Sequence, residues 1–86
     1  MYPKRIEKLP WRDVEGRTVV IQPRKGEIHE LNSIATLLWQ KADGTHSVND
    51  MAQSITENFD IEFDQAEQDI KEFFYTLEAR GLVQLI

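Results

Sequence analysis

The chain has 86 residues, a formal net charge of −5, 41% hydrophobic residues and no cysteine. A chain of that length is one domain that hides only about 60–65% of the surface its unfolded form exposes, so nearly every large apolar side chain has a packing role. The missing cysteine excludes a disulfide framework, a thiolate metal site and a cysteine nucleophile. The N-terminal MYPKRIEKLPW lacks the apolar centre of a signal peptide and no window approaches the ~18 apolar residues of a membrane span, so a cytoplasmic protein is expected.

The charge is unevenly placed. Residues 1–25 carry seven basic side chains against three acids, a net of +4, while residues 26–86 carry three against twelve, a net of −9. The basic front and acidic remainder are either two solvated faces or two surfaces for partners of opposite sign.

Pro3 and Pro10 oppose regular pairing inside a sheet, so residues 1–10 read as a loose arm or an edge strand, and residues 1–16 as a loosely ordered arm or first strand of a single domain spanning 1–86. Trp11 to Val14 forms a short strand before the turn signal Glu15-Gly16. Thr18 to Gln22 is the strongest strand candidate, β-branched, with Val19 and Ile21 on one face. Pro23-Arg24-Lys25-Gly26 supplies a tight connection to an antiparallel strand, Glu27 to Leu31. Its weak alternation, with Ile28 and Leu31 on opposite faces and His29 and Glu30 polar, marks a sheet edge.

At Asn32 the period changes from two to helical. Asn32 or Ser33 caps a helix whose core face is Ile34, Leu37 and Leu38, with Trp39 beside that stripe and Asp43-Gly44 closing it. Ser47-Val48-Asn49-Asp50 resembles a capping box, and Val48, Met51, Ala52, Ile55 and Phe59 give the second helix its apolar stripe. A third helix runs from its N-cap Asp64 to Gly81, with Ala66, Ile70, Phe73, Phe74 and Leu77 at helical spacing. Leu82 to Ile86 is a final strand or a plug on the core. Strands followed by helices define an α+β domain: an N-terminal antiparallel sheet of two to three strands followed by a three-helix bundle, winged-helix-like.

The chemistry is sparse. His29 and His46 lie too far apart in sequence to suggest a ligand pair, the fifteen acids show no pattern that buries two together, and the four glycines stand singly, so neither metal, enzymatic activity nor cofactor is expected. A winged-helix DNA-binding regulator is the alternative. The third helix opposes it, carrying Asp64, Glu67, Asp69, Glu72 and Glu78 against Lys71 and Arg80, where phosphate contacts require clustered bases. The edge at Glu27 to Leu31 could instead accept an extended peptide as another strand. Adjacent Phe73 and Phe74 point about 100° apart on a helix, so one ring can fill the core while the other borders a groove, or both can cap the core from two sides. Phe74→Ala is expected to weaken peptide binding more than folding, and Leu77→Ala to cost ~2–5 kcal/mol, with the choice of groove ring left open.

The ordered landmarks Pro23 to Gly26, Leu31-Asn32, Leu38-Trp39, Asp43-Gly44, Ser47-Val48, Phe59-Asp60, Asp69-Ile70, Phe73, Leu77 and Gly81-Leu82-Val83 resemble the PqqD-like family over roughly residues 17–85. The resemblance implies a recognition element for ribosomally made precursor peptides. A leader segment adds as a strand, and a maturation enzyme, often a radical SAM protein, modifies the remainder. Carried onto this chain it places the edge at Glu27, Ile28, His29, Glu30 and Leu31, and across the groove Glu67, Ile70, Lys71, Phe73 and Phe74. The details resemble the generic branch rather than the PQQ-pathway member, so the PQQ precursor is not implied as substrate.

Overall fold

The computed structural model describes residues 1–86 as β1 (Pro3–Arg5), β2 (Trp11–Val14), β3 (Arg17–Gln22), β4 (Glu27–Leu31), α1 (Ser33–Gln40), α2 (Val48–Asn58), α3 (Phe63–Ala79) and β5 (Val83–Leu85). The architecture is the expected winged-helix-like α+β arrangement. Strands β2, β3 and β4 form an antiparallel meander in that order, leaving one edge of β4 open. Its turns fall where the sequence placed them. Glu15 and Gly16 both take left-handed backbone (φ 55° and 82°), the conformation a two-residue hairpin turn requires.

The N-terminal segment is the first strand of the two alternatives rather than a loose arm, and it is paired on both sides. β1 pairs with β5 on one side, with Lys4 opposite Gln84, and with residues 42–44 on the other, through Arg5 N–H to Ala42 O (2.8 Å) and Gly44 N–H to Pro3 O (2.9 Å). Pro3 is tolerated because it stands first in the strand and contributes its carbonyl, the one ladder group it has. Arg5 closes the same corner. Its guanidinium donates to Trp39 O (2.6 Å) and Gln40 O (3.0 Å) at the C-terminal end of α1, where the helix dipole favours a cation, and it lies over the rings of Trp11 and Trp39.

The meander turns a different face inward from the one its apolar residues suggest. Thr18, Val20 and Gln22 are buried, while Val19 is half-buried and Ile21 exposed. The buried polar groups are paired: Thr18 and Thr36 hydroxyls bond at 2.9 Å, and Gln22 is held at both ends of its amide. That Thr18 bond also rotates α1 relative to the expected stripe. Thr36, Leu38 and Trp39 are buried and Ile34 and Leu37 exposed. Asn32 caps α1, accepting from Ala35 N–H at 2.8 Å, but the helix ends at Gln40 rather than Asp43, because residues 42–44 are taken up by β1.

Helix α2 begins at Ser47 with the full capping box. The Ser47 hydroxyl accepts from Asp50 N–H and the Asp50 carboxylate from Ser47 N–H. Helix α3 starts earlier than Asp64, with Glu62 as N-cap and no side-chain cap bond. Its buried stripe, Ala66, Ile70, Phe74 and Leu77, joins Trp39, Met51, Leu82 and Val20 in one core of 14 buried apolar residues. Each large side chain there contributes about 1.5–3 kcal/mol through burial.

Candidate functional site

Strand β4 approaches α3 near each of its ends, and the order of the two approaches makes strand and helix run in opposite directions. At one end the Gln22 amide donates to Arg80 O (2.9 Å) and Lys25 Nζ donates to the same oxygen (3.1 Å), tying the end of α3 to the β3–β4 turn. At the other end Asn32, just past β4, lines an apolar cavity of about 440 Å³ with Asp69, Ile70 and Phe73 of α3, Ile34, Ala35 and Leu38 of α1, and Ile55 and Phe59 at the end of α2. Between these two points β4 has an unpaired edge, whose alternate N–H and C=O groups have no strand partner.

The expected site residues divide on inspection. Glu27, His29 and Leu31 share the face turned toward the helices, Glu27 exposed and the other two buried, while Ile28 (67% exposed) and Glu30 point to the outer face of the sheet. Leu31 belongs to the core and leaves only its backbone at the strand edge. On α3, Ile70 is buried but still lines the cavity. Phe74 is completely buried, so the expectation that it contacts a peptide is corrected. Phe73 is the half-exposed ring, packed edge-on against Phe74 with centroids 5.0 Å apart.

Glu67 and Lys71 also lie elsewhere. Glu67 accepts from Asn49 Nδ2 at 3.5 Å and pairs with Lys71 at 3.8 Å, which puts both on the flank of α3 that faces the start of α2. The flank beside Phe73 is instead formed by Asp69, Thr76 and Arg80, at i−4, i+3 and i+7. Helical spacing defines that flank from Phe73, but two adjacent phenylalanines in a sequence do not say which ring is the partly exposed one.

One polar network links β3 and β4 on the face turned toward the helices. His29, 8% exposed, bonds through Nε2 to Gln22 Oε1 at 2.6 Å, and the Glu27 carboxylate lies 3.7 Å from the same nitrogen. A second cluster lies apart from it, at the turn before α2. There the Thr45 hydroxyl, then the Thr45 amide and His46, hold the Asp43 carboxyl well below the usual carboxylate range. No cluster of His, Cys, Asp or Glu has the geometry to hold a metal ion, and no helix is long and apolar enough to cross a membrane.

The fold is a small winged-helix-like domain with an open edge on β4 and a partly exposed aromatic ring, Phe73, on α3. The family described as Coenzyme PQQ synthesis protein D (PqqD) matches residues 17–83. The chain is 30% identical over 78 residues to a PqqA binding protein of Xanthomonas oryzae pv. oryzae (strain PXO99A), covering 91% of this chain and 83% of that one. A PqqA binding protein of Xanthomonas campestris pv. campestris (strain B100) is 33% identical over 67 residues, 78% of this chain and 71% of that one. The chain belongs to the PqqD family.

Two solved structures share the fold. A lasso peptide synthetase B1 complexed with the leader peptide superposes with a TM-score of 0.88 at 26% identity, covering 99% of this chain and all of that one (100%). TbiB1 in complex with the TbiA(beta) leader peptide gives a TM-score of 0.87 at 13% identity, covering 96% of each chain, and supports the fold alone.

Proposed function

We propose that this chain is a non-catalytic cytoplasmic binding domain that captures the leader segment of a ribosomally made precursor peptide and presents it to a maturation enzyme. The observation that carries this reading is the open edge of β4, tied near both ends to an antiparallel α3; we read that edge and the Phe73 flank as the two walls of a peptide groove. An added strand gains main-chain hydrogen bonds from β4, and its inward side chains meet Phe73, Ile70 and the apolar cavity, which together supply affinity and side-chain selection. The relatives support it, being PqqA binding proteins and a synthetase component complexed with a leader peptide. Capture acts by effective concentration, because a tethered core peptide meets the enzyme as an intramolecular partner.

The contact set is Glu27, Ile28, His29, Glu30 and Leu31 along the strand, chiefly through backbone, with Phe73 and Ile70 opposite. Asp69, Thr76 and Arg80 replace Glu67, Lys71 and Phe74. Titrating the ¹⁵N-labelled chain with a synthetic PqqA leader and a lasso-precursor leader tests this assignment. Amide shifts are expected at 27–31 and on the 69–80 flank for whichever leader class binds. Shifts confined to the Glu67 and Lys71 flank, or absent with both, would remove the strand-addition reading.

A further inference from the structure

The buried imidazole in the middle of β4 has one nitrogen that the fold uses and one that it leaves. Gln22 donates its amide N–H to Arg80 O, an atom that can only accept, so its Oε1 is the end that faces His29. An amide oxygen also only accepts, so His29 Nε2 must donate across the 2.6 Å contact, and the nearby Glu27 carboxylate favours the same proton position. In the neutral ring the proton is then fixed on Nε2 and Nδ1 is left as a bare acceptor.

No protein group donates to that Nδ1, yet it is not among the fully enclosed unpaired atoms, where Trp39 Nε1 stands alone. It therefore keeps contact with solvent. The ring is flanked by β3 on one side and lies on the sheet face turned toward the helices, so the side left open is the β4 edge. A strand added there places one of its residues directly opposite His29, with Cβ atoms about 5 Å apart, and shuts solvent away from Nδ1.

We infer that His29 is a specificity-determining residue of this groove, its Nδ1 accepting a hydrogen bond from a hydroxyl or amide side chain on the incoming peptide strand. The inference rests on the peptide-binding reading above and narrows its ligand: the peptide carries Ser, Thr, Asn or Gln at the position facing His29. An apolar residue there leaves a desolvated acceptor without a donor, which costs about tenfold in affinity, or ~1.4 kcal/mol.

The test is selection of short random peptides displayed against immobilised wild-type protein and against His29→Phe. The wild-type pool is expected to enrich hydroxyl or amide residues at one strand position, and the His29→Phe pool to enrich apolar residues at that position with the others unchanged. A Thr→Val change at that position in a wild-type-selected peptide should weaken its binding to wild-type protein about tenfold and strengthen its binding to His29→Phe. Pools of identical composition there would overturn the inference while leaving peptide binding intact. Failure to enrich any peptide that shifts the β4 amides would instead remove the peptide-binding reading, and this inference with it. Because His29→Phe also deletes the Gln22 bond, imidazole ¹⁵N spectra of the wild-type chain give an independent readout. Nδ1 should move from its bare-acceptor shift when a selected peptide binds and stay there with the Thr→Val peptide, and an Nδ1 that does not respond to the selected peptide overturns the assignment.

Discussion

Phe73 and Phe74 show how much one helical step decides. Both contribute an aromatic ring to the same cluster, but Phe74 faces Leu77 and Ile70 in the sealed core, whereas Phe73 lines the apolar cavity from a half-exposed position. Phe74→Ala should therefore cost about 3–5 kcal/mol of stability, the range for truncating a buried aromatic, and Phe73→Ala about 1 kcal/mol. Urea unfolding combined with peptide titration checks the pair. Phe73→Ala is expected to lose affinity per folded molecule, and Phe74→Ala to retain it wherever it folds. The sequence showed that the rings diverge but not which one looked inward, because Glu67 and Lys71, by pairing with each other and Asn49, turn their flank toward α2. That contact depends on a helix eighteen residues away, beyond the reach of any local pattern.

At the level of elements, apolar periodicity located all three helices and the strands of the meander, and it failed where polar residues pack inside. Thr18, Thr36 and Gln22 are buried because they bond one another or backbone, so the apolar residues Val19, Ile21, Ile34 and Leu37 are left facing outward or half-covered. A hydroxyl or amide satisfied by a distant partner leaves no mark in a hydrophobicity pattern. The α2 cap, by contrast, was fully legible, since Ser47 and Asp50 are three residues apart. Ser47→Ala should cost about 1 kcal/mol, read as a lower urea midpoint at unchanged slope.

The same cap makes the start of α2 acid-sensitive. The amide and hydroxyl of Ser47 lower the Asp50 pKa, and Thr45 and His46 lower that of Asp43. A carboxylate whose folded value is depressed stabilises the native state fully above its unfolded value, and that contribution is lost as pH falls through the folded one. Stability should decline on acidification below about pH 4, with Asp43→Asn and Asp50→Asn each flattening that acid limb. Tm measured across the acid range, with carboxyl ¹³C shifts of the two residues, checks it.

Across the whole molecule, the least legible feature is the second sheet. β1 and β5 stand at opposite ends of the sequence, and each is three residues long, so neither carries a periodic signal of its own. Yet β1 joins β5 to residues 42–44, and Val48 N–H bonds Met1 O at 3.2 Å, so the first residues brace both the start of α2 and the end of the chain. Deleting residues 1–6 should therefore unfold the domain cooperatively rather than trim a tail, seen as loss of dispersed amide signals from α3 as well as from β5.

The pairing of β1 with β5 also brings Tyr2 and Ile86 together through reciprocal backbone bonds, Tyr2 N–H to Ile86 O at 2.6 Å and Ile86 N–H to Tyr2 O at 3.1 Å. A polypeptide that enters and leaves at one corner can be grafted into a surface loop of a larger host without stretching either junction, or re-circularised with its ends joined and reopened elsewhere. The exposed Glu15-Gly16 turn is the natural place for new termini, because at the other exposed turn Lys25 helps tie the end of α3 to the β3–β4 hairpin.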